Sequence, residues 1–138
     1  VIVPRLRMEG LDDLITRVGG LAQQFLLNIT TVLEWFGSTA TQEMITQHSF
    51  INRTGRLERS IGYHIEVPGN GHIELHVYAL APYAAAVEEG VPGRSRPYPY
   101  FWGTFYKYLP DLYEKLAEGI DSALEDASYS GRLSLGGA

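Results

Sequence analysis

The chain has 138 residues, no cysteine, and sixteen acidic against eleven basic residues, for a formal charge of −5. A single core is expected, burying roughly two thirds of the surface the unfolded chain exposes, with no disulfide or thiolate metal site to reinforce it. The acidic balance opposes phosphate neutralisation and so argues against a sequence-reading DNA binder, and no apolar run reaches the ~20 residues of a membrane span. No signal-peptide pattern opens the chain, so a soluble protein made in a cytoplasm is expected.

Val1, Ile2 and Val3, then Leu6 and Met8 between arginines, suggest a short edge strand whose first half is weakened by Pro4. From Leu11 a helical period takes over: Leu14, Ile15, Val18, Ala22, Phe25, Leu26, Ile29, Leu33, Phe36, Ala40 and Met44 recur at three- and four-residue steps. Asp12 and Asp13 complement the positive end of this long helix. Gly19, Gly20 and Gly37 are its weak points. A kink is expected near Gly37, with Thr39 and Gln42 restarting the helix as a capping box.

The period then changes to two. Ile61, Tyr63, Ile65 and Val67 alternate with polar residues or glycine, as do Ile73, Leu75, Val77 and Ala79 after Gly69-Asn70-Gly71. These are two strands of a hairpin. Their apolar faces match only if Tyr63 opposes Val77, Ile65 opposes Leu75 and Val67 opposes Ile73, which calls for a three-residue loop with Gly71 left-handed. Next, 82–89 suits a short helix stopped by Gly90. The proline-rich stretch 91–99 reads as a loop. Trp102, Phe105, Leu109, Leu112, Leu116, Ile120 and Leu124 restore helical spacing. Pro110 kinks that helix or opens a second one, and Asp111 favours the second. The expected fold is α+β, with the long N-terminal helix and the C-terminal helix packed on one face of a small antiparallel sheet. It forms one domain over 1–127, followed by a flexible tail over 128–138.

Motifs of catalysis are missing. There is no Gly-Lys-Ser/Thr phosphate loop, no dinucleotide fingerprint and no Gly-x-Ser-x-Gly elbow. His64-x-Glu66 and His72-x-Glu74 echo half of a zinc deaminase, but its cysteines are absent. The hairpin register does bring His64 opposite His76 and Glu66 opposite Glu74 on one sheet face. Two readings stand there: a zinc site, and a solvated or subunit-contacting face, which is preferred. His48 reads as a polar cap at a helix end. The aromatic run from Tyr98 to Tyr108 beside Arg94 and Arg96 suits either base stacking or core and interface packing, and net charge favours the latter. No enzyme activity, cofactor or metal is expected.

Three segments fall in one order: Thr54-Gly55-Arg56-Leu57-Glu58-Arg59-Ser60-Ile61, then Ala81-Pro82-Tyr83-Ala84-Ala85-Ala86-Val87-Glu88-Glu89-Gly90, then Pro97-Tyr98-Pro99-Tyr100-Phe101. With the helices and hairpin around them, they resemble the tail-completion or neck proteins of long-tailed phages, the head-tail joining family. The chain departs from that pattern at Ile51-Asn52-Arg53, where a proline is frequent, and in its unusually aromatic approach to the last helix. The resemblance implies a structural virion protein, assembled in the host cytoplasm, that caps the tail tube as a homomeric ring with sixfold symmetry. It would join the tube to the head connector beside neighbouring neck and tail proteins, and let double-stranded DNA pass without reading it. Tail-terminator and head-closure roles in the same particle are the nearest alternatives, and a His/Glu metalloenzyme or an accessory nucleic-acid-binding factor the more distant ones. The expected interface lies at Glu88, Glu89, Arg94, Arg96, Tyr98 and Tyr100, with the arginines reaching acidic groups on a neighbour.

Overall fold

The computed structural model describes residues 1–48, 50, 55–67 and 71–136, with backbone alone over 128–136. Three strands, β1 (Arg5–Met8), β2 (Ile61–Glu66) and β3 (Ile73–Ala79), form an open antiparallel sheet in the order β1-β3-β2. The hairpin register is the expected one from Tyr63 opposite Val77 through His64 opposite His76 and Ile65 opposite Leu75 to Glu66 opposite Glu74, but the expected last pair, Val67 with Ile73, is not formed, because β2 ends at Glu66 and Val67 is exposed. Gly71 has φ +82, the left-handed value expected of it. Gly69 and Asn70 lie outside the described residues. On the other side of β3, β1 is the expected edge strand, pairing Arg5 with His76 and Met8 with Ile73, and Ile2 bridges to Ala79 ahead of Pro4.

The N-terminal helical period divides into α1 (Leu11–Val18), a 3-10 turn (Gly19–Leu21) and α2 (Ala22–Thr46). Its break falls at the Gly19-Gly20 pair, where Gly19 adopts φ +56. The expected restart after Gly37 does not occur: α2 continues unbroken through it, so Thr39 and Gln42 make no capping box. Gly37 is there for another reason, because a Cβ at that position would sit 2.5 Å from the Tyr63 ring. The glycine lets β2 press against α2. Its cost in helix propensity is set against that contact. Helix α2 ends at Thr46, and Gly55 (φ +72) starts the single turn α3 (Arg56–Arg59), which buries Leu57. Thr54 lies outside the described residues.

After β3 comes α4 (Ala84–Glu89), stopped by Gly90 at φ +76 as expected. The final helix, α5 (Trp102–Gly136), does not divide at Pro110. Pro110 and Tyr106 both lie on its exposed side, so the Tyr106 carbonyl that loses its intrahelical donor is left to water. Phe105 and Leu112, on either side of the proline in the chain, are both buried in the core. The backbone of α5 continues into 128–136, within the stretch expected to be a flexible tail.

The molecule is thus α+β, with long helices packed against a small open sheet. Helix α2 lies between, touching β2 and β3 on one side and α5 on the other. Its buried stripe of Phe25, Ile29, Leu33, Phe36, Ala40 and Met44 joins Leu75, Val77, Phe105 and Leu112 in one core. Glu43 ties the helices at the rim, accepting hydrogen bonds from Lys107 Nζ (2.8 Å) and Tyr108 Oη (2.9 Å). Among the described residues, no helix is long and apolar enough to cross a membrane.

Candidate functional site

Two places concentrate polar chemistry. The first is the outer face of the sheet. Strand alternation sends Leu75 and Val77 to the core and leaves Glu74 and His76 on the opposite side. Because β3 is the middle strand, each has a neighbour on both flanks: Arg5 and His64 beside His76, and Arg7 and Glu66 beside Glu74. This flanking leaves the Glu74 and His76 side chains only 17% and 15% exposed, while His64 and Glu66 on the edge strand β2 are half exposed. The pairing legible in the sequence therefore brings the four residues together. It does not reveal Arg7 and His72, which complete the cluster. Arg7 arrives through β1, a four-residue strand too short for its pattern to fix a register with β3, and buried His72 lies just before β3.

His76 Nε2 lies 2.9 Å from Glu74 Oε2 and 3.9 Å from Glu66 Oε2. Glu74 Oε1 is turned the other way, 3.7 Å from His72 Nε2 and 3.9 Å from the Arg7 guanidinium. His64 Nε2 stands 3.3 Å from Glu66 Oε1. Arg7 also contacts His72 Nδ1 at 3.3 Å and pairs with Glu9 at 2.9 Å. The hydrogen bond with His76, above all, holds the Glu74 carboxyl below the usual carboxylate range. Burial works against that lowering, and the charges of Arg7 and His72 add to it.

The second place is the junction between α4 and α5, where the six interface candidates lie. Two of them serve the fold itself. Glu88 is 8% exposed, and its Oε1 accepts hydrogen bonds from the backbone N–H groups of Tyr100 (2.8 Å) and Phe101 (2.6 Å), immediately ahead of α5. Buried Tyr100 donates its hydroxyl to the Ala84 carbonyl at 2.9 Å. Burial, then the negative charge of Glu88, pushes the Tyr100 hydroxyl far above the ordinary tyrosine range. The sequence carries a signal for this: Glu88 lies one helical turn after Ala84, on the same apolar face, and those two are the buried residues of α4.

The other four candidates are at the surface. Glu89, Arg94 and Arg96 are exposed, and Tyr98 is half-buried with the Arg96 guanidinium 4.8 Å above its ring. The loop is ordered by Val91 N–H to Ser95 O (3.0 Å) and Tyr98 N–H to Val87 O (2.8 Å). An open groove of about 230 Å³ runs beside it, lined by Phe50, Ala86, Val87, Ser95, Arg96 and Tyr98. The aromatic run divides much as expected: Tyr100, Phe101 and Phe105 are core, while Tyr106 is outside and stacks on Trp102. His48 caps no helix; it pairs with Glu58 at 2.5 Å and stacks on Phe50. In comparisons with known proteins, no family model, no curated protein and no solved structure matches the chain.

Proposed function

We propose that this chain is a non-enzymatic subunit of a tailed-phage particle, a tail-completion or neck protein. In this reading it forms a homomeric ring, sixfold in symmetry, that joins the tail tube to the head connector and lets DNA pass. The N- and C-terminal helices share one side of the sheet, and subunit contacts fall on the loops and on the outer surface of α5. Carrying the reading is one observation: two surfaces of opposite charge in different parts of the chain. A ring requires a heterologous contact between two unlike, complementary patches whose rotation closes. Arg94 and Arg96 supply the basic patch, exposed on an ordered loop and without an ion pair among the described residues. Asp111, Glu114 and Glu118 line an open groove of about 290 Å³ along α5 together with Trp35 and a single cation, Lys115, which lies over the Trp35 ring, and these three carboxylates supply the acidic one. Exposed ion pairs contribute only about 0 to 1 kcal/mol each, but a closed ring repeats the contact at every interface.

The experiment is a charge reversal read by native mass spectrometry and by assembly onto purified tail tubes. The natural chain forms a six-chain species, R94E/R96E remains a folded monomer, and mixing it with D111R/E114R restores association. A double variant that assembles normally and supports infectious particles refutes the reading, as does a natural chain that stays monomeric even on tail tubes.

A further inference from the structure

We propose that His76, Glu74 and Glu66 on the outer sheet face bind one divalent transition-metal ion of the zinc class. The three residues offer one ligand atom each, and those atoms all lie within 4.8 Å of one another. The ring reading gives this face no task, and the inference stands independently of it: a monomer carries the same three ligands.

The orientation of the carboxylates supports the site. Each places one oxygen toward the His76 nitrogen and has the other beside a second imidazole or a guanidinium, at ion-pair distance. Glu74 Oε2 faces His76 Nε2 at 2.9 Å, while its Oε1 is engaged by His72 (3.7 Å) and Arg7 (3.9 Å). Glu66 Oε2 faces the same nitrogen at 3.9 Å, while its Oε1 is engaged by His64 at 3.3 Å. Outer partners that grip the far atom of a ligand are what orient metal sites and raise their affinity. Arg7, the cation that competes for Glu74, lies on the Oε1 side and is itself paired with Glu9 at 2.9 Å. Two carboxylates and one neutral imidazole then balance a doubly charged ion. On binding, the proton on His76 Nε2 or shared with Glu74 leaves to solvent, and the three atoms draw in to bonds of about 2.0–2.2 Å. A nitrogen donor disfavours calcium and magnesium, which take oxygen, and the lack of sulfur disfavours copper(I). The fourth position is left to water.

The test is calorimetric titration of the metal-free full chain with zinc chloride, alongside E74Q, H76A and H72A. One zinc per chain is expected, with affinity falling at least 10-fold in E74Q and H76A and about 10-fold in H72A, where only an outer partner is lost. Proton NMR of the unaltered chain provides a readout that no folding defect can disturb: zinc shifts the His76 ring resonances and leaves those of His48 in place. The proposal is overturned if zinc leaves the His76 resonances unmoved, if H76A and E74Q bind as tightly as the natural chain, or if magnesium binds equally well.

Discussion

Glu88 and Glu74 are both carboxylates drawn out of water, but they are held by different kinds of partner. Glu88 is gripped by two backbone N–H groups, at Tyr100 and Phe101, which neither titrate nor swing away. Glu74 is hydrogen-bonded to His76 and flanked by His72 and Arg7, partners whose side-chain torsions can change. A carboxylate fixed to the backbone is a structural fastener. One fixed to side chains can exchange its partners, and that exchange is what binding requires.

Glu88→Ala sharpens this contrast most. It leaves two buried N–H groups without an acceptor and is expected to cost about 3 kcal/mol or more in urea denaturation, whereas the partners that Glu74→Ala leaves behind include Arg7, which is half exposed. Tyr100→Phe comes next, removing the hydrogen bond to Ala84 and costing about 1 kcal/mol at neutral pH. The Tyr100 hydroxyl is raised in the fold, so its contribution is complete below the ordinary tyrosine value of about 10 and is lost as pH rises above it. Stability of the natural chain measured from pH 8 to 11 should therefore fall more steeply than that of the Phe variant. Glu74→Gln has a smaller effect, with the opposite sign of pH dependence. Its carboxyl is lowered in the fold, so the contribution is complete above the ordinary carboxylate range and is lost as pH falls below it. Denaturation curves of variant and natural chain should converge in acid; if they stay equally far apart down to pH 2, the His76 hydrogen bond is not what holds Glu74. Smallest of all, R94E/R96E should leave the denaturation midpoint of the single chain unchanged.

Local periodicity explains which parts are legible in the sequence. The hairpin register follows from two alternating patterns that fit only one way, and it brings His64, Glu66, Glu74 and His76 onto one face. The helix break at Gly19-Gly20 and the stop at Gly90 follow from glycine chemistry at the right places. Gly37 and Pro110 mislead because their meaning is tertiary. The first makes room for a tyrosine about twenty-six positions away (63 − 37), and the second sits on a face where water replaces the missing donor. The spacing of Glu88 from Ala84 marks it as facing the core, but its acceptor role depends on backbone N–H groups twelve and thirteen residues further on. No spacing rule in the sequence encodes such a contact.

The pairing of β1 with β3 has a consequence in time. Arg5 meets His76, seventy-one residues later (76 − 5), and Met8 meets Ile73. At roughly 5–20 residues per second, the ribosome delivers that partner on the order of 4 to 14 s after the first strand. Until then Leu6 and Met8 have no sheet to join, whereas β2 and β3 emerge almost together and close over a short loop. The hairpin is thus the scaffold for which the chain's opening segment must wait, and the cluster around Glu74 gains Arg7 only when β1 joins it.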